Sequence, residues 1–259
     1  MANSVRNVTA IAGKELRSLF GSPIAWVMMG LFAFLFGRFY LVFLDYFIRQ
    51  GMGGQFGQGP QSQNINMDMI RPLFSNTSVL ILFLLPIVTM RTFAEEKRSG
   101  TIELLLTSPL TDLEIVLGKF LGAMALYGGL LAVTAVYISV LFIYGNPEWR
   151  PLVSGYVGLL LLGGCFISLG VFISSTTKNQ MVAAAATFVL ALLLWIIDWS
   201  ADSAGPTWGP ILSYLSITQH FDDFAKGIID TKHVVFYLSF ITFGLFLTLK
   251  SADAERWRG

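Results

Sequence analysis

The side chains best suited to chemistry stand in one short stretch that follows the apolar run VLILFLLPIVTM. They are Arg91, Glu95, Glu96, Lys97 and Arg98. Acids and bases mixed in this way need water and form ion pairs, whereas the preceding run needs lipid or a protein interior. The pattern therefore places the boundary between membrane and cytosol near Arg91.

The chain turns apolar again after this charged loop, but for only a few residues. They are Ile102, Leu104, Leu105 and Leu106, placed around Glu103. A bilayer crossing takes about 20 helical residues, so this segment is too short to span a membrane. A Ser-Pro pair follows, where a helix ends. We predict a small amphipathic helix on the cytosolic surface, whose apolar side invites a docking partner.

Composition identifies the class of protein that positions this loop. Of 259 residues, 54% are hydrophobic and only 13% are charged, against about 25% charged in typical soluble domains. Six apolar stretches have about the length that a membrane span needs, although the last one is rather short. They cover residues 24–44, 74–90, 120–144, 152–173, 181–197 and 234–249. The sequence predicts an all-α, polytopic integral membrane protein, with a six-span domain over residues 23–259.

The distribution of basic residues predicts the orientation. With the N-terminus inside, eleven of the 17 Lys and Arg residues fall in cytosolic segments and five in outer ones, and Arg38 lies within the first span. Cytosolic loops carry the excess of bases in multi-pass proteins. We therefore expect both termini in the cytosol, a cytosolic loop over residues 91–119 and outer loops over residues 46–71 and 198–232.

Two further segments have helical periodicity. In residues 1–22, apolar positions recur every three to four residues opposite polar ones that include Lys14 and Arg17, which predicts an amphipathic surface helix. In the outer loop 198–232, Ile217, Phe221, Phe224 and Ile228 share one helical face, which predicts short outer helices before the last span.

Motifs for enzymatic chemistry are absent. No G-x-x-x-x-G-K-[ST] phosphate loop and no G-x-S-x-G elbow occurs. His220 with Asp222 and Asp223 could ligate a metal, although a solvated polar patch is the simpler interpretation. Cys165 is the one cysteine, and a net charge of +1 argues against nucleic-acid binding. We predict a non-catalytic membrane subunit that binds no cofactor, metal or nucleic acid itself.

Two features leave alternatives open. Arg38 is the one charge inside a predicted span, so it is either a residue of a subunit interface or substrate path, or a side chain that snorkels to the outer interface. Gly118 and Gly122 form a G-x-x-x-G pair that would allow close helix packing, either within one subunit or between two.

The run TFAEEKRSGTIELLLTSPL, followed by IVLGKFLGA, resembles the first cytosolic loop of ABC-2 type transporter permeases, and specifically their gliding-motility-associated branch. The run HFDDFAKGIIDTKHVVFYLSF also resembles that branch. The resemblance implies that the short amphipathic helix is a coupling helix, which sits in a groove of a separate ATPase. The coupling residues would be Glu95, Glu96, Lys97, Arg98, Gly100, Thr101, Ile102, Glu103, Leu104, Leu105, Leu106 and Thr107.

The same resemblance implies partners and a location. It makes residues 1–22 a connecting helix that touches the ATPase through Lys14, Glu15 and Arg17, although a plain interfacial anchor is the alternative. The expected assembly contains a cytosolic ABC ATPase dimer that binds ATP and Mg²⁺, a second permease subunit and an auxiliary subunit with an extracytoplasmic domain. The expected location is the bacterial inner membrane.

Two functions follow from these expectations. The first is a permease subunit that couples ATP hydrolysis on another chain to export or to conformational work across the membrane. The alternative is a mechanotransmission or scaffold subunit that moves a partner without transporting a substrate.

Overall fold

The computed structural model describes residues 2–53, 64–107, 109–145, 147–203 and 205–256, and every regular element in these ranges is helical. The helices are α1 (Ala2–Gly21), α2 (Pro23–Gly53), α3 (Arg71–Thr89), α4 (Ala94–Ser99), α5 (Ile102–Leu106), α6 (Asp112–Tyr144), α7 (Trp149–Thr176), α8 (Gln180–Ser203), α9 (Gly205–Leu215), α10 (Ile217–Ala225) and α11 (Thr231–Arg256). A π-helical turn, Asn66–Ile70, leads directly into α3.

Six of these helices are long and apolar enough to cross a membrane, namely α2, α3, α6, α7, α8 and α11. The predicted all-α, six-span architecture is therefore confirmed. The helices extend beyond the apolar stretches, most clearly at α6, which begins at Asp112. A capping box explains this start, because Thr111 accepts from the Glu114 amide while the Glu114 carboxylate accepts from the Thr111 amide. The last eight residues of the predicted loop 91–119 therefore belong to α6.

The centre of the bundle is α7, which packs against α3, α6, α8, α10 and α11. Glycines on α7 let its neighbours approach, since added Cβ atoms would collide with Phe74 at Gly155, Tyr127 at Gly163 and Thr89 at Gly170. Small residues in this span therefore serve packing within the chain.

The N-terminal helix α1 lies beside the first turns of α6. A Cβ added at Gly118 would lie 2.6 Å from Ile11, and one added at Gly122 would lie 2.7 Å from Glu15. The G-x-x-x-G pair is thus used within the chain, where it receives α1. The expected amphipathic helix is present over Ala2–Gly21.

The bundle has two distinct ends. At the first, which we name the α4 end, α4 and α5 lie near α1 and near the last turns of α11, where Lys97 pairs with Glu255 at 2.9 Å. At the opposite end, which we name the α10 end, Arg71 at the start of α3 pairs with Asp222 of α10 at 2.8 Å. The N-terminal helix and the end of the last helix therefore lie at the same end.

The predicted loops near the α10 end are largely helical. Residues 46–53 continue α2 and residues 66–71 are helical as well, while 54–63 lie outside the described residues. An i, i+4 ion pair between Asp45 and Arg49 supports this extension of α2. The expected short helices before the last span are α9 and α10. Ile228 does not share their apolar face, because α10 ends at Ala225 and Gly227 turns the chain with a φ of 92°.

Candidate functional site

Ser174 of α7 fixes the break between α3 and α4. Its hydroxyl donates to the Met90 carbonyl at 3.1 Å and accepts from the amides of Phe93 and Ala94, both at 3.1 Å. These amides open α4, so no earlier turn of that helix supplies their acceptors. One buried side chain of α7 thereby determines where the charged segment leaves the bundle.

A second fixed point is the side chain of Lys119 on α6, which is 2% exposed. Its Nζ lies 2.9 Å from Glu96 Oε2 on α4 and 3.5 Å from Glu15 Oε2 on α1. It also donates to the Thr92 carbonyl and lies 4.9 Å from the ring centre of Phe93. We name Glu15, Glu96 and Lys119 the buried ion triad; it joins three helices at the α4 end.

The electrostatics of the triad depend on its burial. Burial raises the pKa of Glu15, the positive charge of Lys119 opposes that rise, and the nearby Glu96 carboxylate adds to it. Removing one partner from a buried set of charges leaves the others without compensation, which is strongly destabilising. The positions of α1 and α4 are therefore linked through α6. Glu96, which the resemblance makes a coupling residue, thus has its base within this chain.

A third contact holds α4 to the last helix. Lys97 Nζ lies 2.9 Å from Glu255 Oε2, and the lysine side chain is only 7% exposed. Gly100 then ends α4 in the left-handed region, with a φ of 73°, and the Thr101 amide donates back to the Glu96 carbonyl. This tight end allows α5 to begin two residues later.

The small helix α5 has an inner and an outer side. Ile102 and Leu105 pack against the hydrophobic core, whereas Glu103 and Thr107 are exposed and Leu104 is 73% exposed. The side chain of Leu106 lies outside the described residues. The predicted amphipathic helix is present, and Leu104 is the most exposed of its described apolar side chains.

An open cleft of about 520 Å³ lies between α1 and the α4–α5 segment. Its lining combines charged and apolar groups, including Lys14, Glu15, Glu95, Glu96, Leu104 and Lys119. Arg91 reaches the cleft as well and donates to Ser22 Oγ at the α1–α2 junction, at 3.0 Å. The structure thus brings part of the predicted set to one cleft, whereas Lys97, Gly100, Ile102, Glu103 and Thr107 do not line it. Arg17 and Arg98 are exposed.

Arg38 lies away from this cleft, in the middle of α2. Its side chain is exposed on the same helix as the exposed Phe34, Leu41 and Val42. Asp45 follows it by seven residues, or about 10 Å along a helix. Arg38 therefore faces outward from the bundle and takes no part in the site at the α4 end.

Sequence reasoning missed three residues of this site. The hydropathy pattern marks Lys119 only as a base near a membrane boundary, although the glycines on either side of it, at 118 and 122, indicate a close helix approach. Ser174 and Glu255 carry no comparable signal, because each acts on a segment far away in the chain.

Comparison with known proteins agrees with this architecture. A family model described as "ABC-2 family transporter protein" matches residues 9–249. The chain is also similar to "Probable multidrug ABC transporter permease YbhR" of Escherichia coli strain K12 and of Escherichia coli O157:H7, with 28% identity over 144 residues in each case. These matches cover 55% of this chain and 39% of either relative.

The family match covers all six candidate spans up to the final turns of α11, together with α4, α5 and the buried ion triad. We conclude that this multi-pass membrane protein belongs to the ABC-2 family of transporter proteins.

Proposed function

We propose that this chain is the permease subunit of an ATP-driven transporter, and that α4 and α5 connect its spans to a separate cytosolic ATPase. The observation that carries the proposal is the division of the α4–α5 segment into an anchored side and an exposed side. Leu104 and Glu103 face outward, while the inner contacts reach α1, α6, α7 and α11.

The anchored side supplies routes for movement. When the ATPase pushes on α5, displacement passes through Ser174 to α7, through the buried ion triad to α6 and α1, and through Lys97 to α11. Well-packed interfaces transmit such shifts because they do not deform continuously. The spans then tilt and alter a path across the membrane. ATP and Mg²⁺ bind on the ATPase in this proposal.

The proposed assembly has an ATPase dimer, a second permease subunit and an auxiliary subunit with an extracytoplasmic domain, in the bacterial inner membrane. The α4 end faces the cytosol together with both termini, which agrees with the excess of basic residues on that side. Membership of the gliding-motility-associated branch is part of the proposal and rests on the two sequence runs quoted above. The E. coli relatives carry the name of a probable multidrug ABC transporter permease, which supports a permease function.

The test is a double substitution on the exposed side of α5, Glu103→Arg with Leu104→Asp. Both side chains are exposed, so the bundle should insert and fold normally. After purification in mild detergent, co-purified ATPase activity should fall about tenfold or more, since a loss of about 1.4 kcal/mol at a contact is a factor of ten.

The matched control is Ile229→Asp, at an apolar residue that is 55% exposed at the α10 end. It should leave co-purification unchanged. Equal co-purification from the double variant and the control would refute the role of α5. The mechanotransmission alternative stays a prediction. In that case the ATPase would still co-purify fully with the chain, but no substrate would accumulate in inverted vesicles.

A further inference from the structure

The two histidines of the chain meet at the α10 end. Nδ1 of His220, on α10, lies 2.5 Å from Nδ1 of His233, on the first turn of α11, and each residue is only 6% exposed. His220 also stacks on Phe236 with ring centres 3.9 Å apart. This contact replaces the predicted grouping of His220 with Asp222 and Asp223, because Asp222 pairs with Arg71 and Lys226.

The Nε2 atoms, which are not part of the contact between the two rings, determine where the protons lie. Nε2 of His220 lies 3.0 Å from the Tyr214 carbonyl, which can only accept. Nε2 of His233 lies 2.8 Å from Asp223 Oδ2, where a carboxylate also accepts. Both Nε2 atoms must therefore carry hydrogen.

Two neutral rings with this arrangement would point bare lone pairs at each other over 2.5 Å. One additional proton between the Nδ1 atoms removes this repulsion and makes the contact a strong, charge-assisted hydrogen bond. The pair then holds three N–H groups on four nitrogens and one positive charge. Asp223 compensates this charge through its hydrogen bond with His233, so the charge belongs on His233 and His220 accepts.

The surrounding charged groups are already paired. Asp222 of α10 binds Arg71 of α3 and Lys226 of α10, at 2.8 and 2.6 Å. Lys226 also lies 3.4 Å from Asp223, and Lys232 of α11 lies 3.2 Å from Asp230. These partners lower the pKa of Asp222 and Asp230, and the hydrogen bond from His233 lowers that of Asp223. The carboxylates therefore stay charged in the range where histidine titrates.

We propose that His220 and His233 form a one-proton latch, which holds α10 and the end of α9 to α11 at neutral pH and releases them on acidification. A second proton would place two positive charges on adjacent rings and break the Nδ1 contact. Burial lowers the pKa of His220, although the Tyr214 carbonyl acts in the opposite direction. The latch is thus lost as pH falls through the lowered pKa of His220, where the pair takes up its second proton.

The released element is defined by its other contacts. α10 is held to α7 by the Ser154 hydroxyl, which donates to the Phe224 carbonyl at 2.9 Å, and to α11 by Tyr237, which donates to the Ile217 carbonyl at 2.7 Å. Loss of the histidine contact should therefore loosen α10 without unfolding the bundle. The α10 end lies opposite the α4 end, so the latch responds to the compartment across the membrane from the proposed ATPase.

Imidazole nitrogen NMR tests the proton count directly. With ¹⁵N-histidine in the full chain in lipid nanodiscs, only two rings give signals. At pH 7.5 we expect three protonated nitrogens and one bare Nδ1, on His220. Two neutral rings, or two rings that titrate independently near pH 6.5, would overturn the proposal.

Hydrogen exchange tests the consequence for α10. After correction for intrinsic rates, protection of α10 amides in the wild type should fall by about tenfold or more as pH is lowered from 7.5 through the depressed pKa of His220, because the second proton is bound there. His220→Phe keeps an aromatic stack on Phe236 and cannot bind a proton, so its protection should be independent of pH. Lys178→Gln, at an exposed lysine between α7 and α8, is the control that retains the wild-type response. An unchanged pH response in His220→Phe would also overturn the latch.

Discussion

Replacing Lys119 with methionine tests the buried ion triad. Methionine matches the length of the lysine stem, so the substitution removes the charge with little loss of packing. Glu15 and Glu96 remain, with side chains 14% and 19% exposed, and both lose their base. Removing one partner of a buried ion pair costs about 3–5 kcal/mol.

Protonation of Glu15 sets a ceiling on the part of this cost that arises from Glu15. Holding a carboxyl of pKa 4.5 neutral at pH 7.5 costs about 4 kcal/mol, at about 1.4 kcal/mol for each pH unit. The pKa of Glu15 is already raised by burial, so its protonation costs less. We expect a loss of about 3 kcal/mol at pH 7.5. In the variant, the pKa of Glu15 lies further above its unfolded value, so the loss grows as pH rises above about 4.5 and vanishes below it.

The chain provides its own unfolding probe, because Cys165 is its one cysteine and is buried. A fluorogenic maleimide in detergent should react with it only on unfolding, and the midpoint for Lys119→Met should fall by about 6–12 °C at pH 7.5. Lys178→Met, at an exposed lysine between α7 and α8, should leave the midpoint unchanged. Our reasoning fails if Lys119→Met matches this control, or if its deficit, followed by tryptophan fluorescence because maleimide needs the thiolate, is the same at pH 4.5 and pH 7.5.

Two further substitutions test the junction of α3, α4 and α7. Ser174→Ala leaves two buried backbone amides without their acceptor, so the maleimide midpoint and ATPase co-purification should both fall, with a stability loss of about 1–3 kcal/mol; Ser174→Thr should restore part of each. Gly170→Ala places a methyl group against Thr89, and the overpacking should cost about 1–3 kcal/mol. Gly128→Ala, where nothing lies within 4 Å of the added Cβ, should have no such effect on the same midpoint.

The spans could be predicted from the sequence because the membrane imposes a simple requirement. About 20 apolar residues must occur together, and such runs are visible without any tertiary information. The amphipathic pattern of α5 is equally local, since Ile102 and Leu105 occupy its inner side and Leu104 its outer side. The ends of the helices were harder, because the polar turns that extend α2 and α6 depend on local ion pairs and caps rather than on hydropathy.

The contacts that fix the site could not be predicted in the same way. A lysine near a membrane boundary is ordinarily exposed, and Lys119 is buried only because α1 and α4, from distant parts of the chain, both bring carboxylates to it. The histidine pair is similar, since α10 and α11 meet through the left-handed turn at Gly227. Such contacts depend on how helices pack, and periodicity within one helix does not encode that packing.

In the proposed function, the arrangement at the α4 end limits how a push on α5 can be absorbed. Lys97 and Glu96 tie the short helix α4 to α11 and α6, and Ser174 ties its first turn to α7. Gly100 connects α4 to α5 through a tight left-handed turn, which the hydrogen bond from the Thr101 amide to the Glu96 carbonyl closes. The two helices therefore have little freedom to move relative to each other. A force on Leu104 therefore reaches three long helices through separate contacts. If a substitution removes one contact, the others still transmit the movement. Single substitutions should therefore weaken coupling to the ATPase only in part, whereas combined substitutions should abolish it.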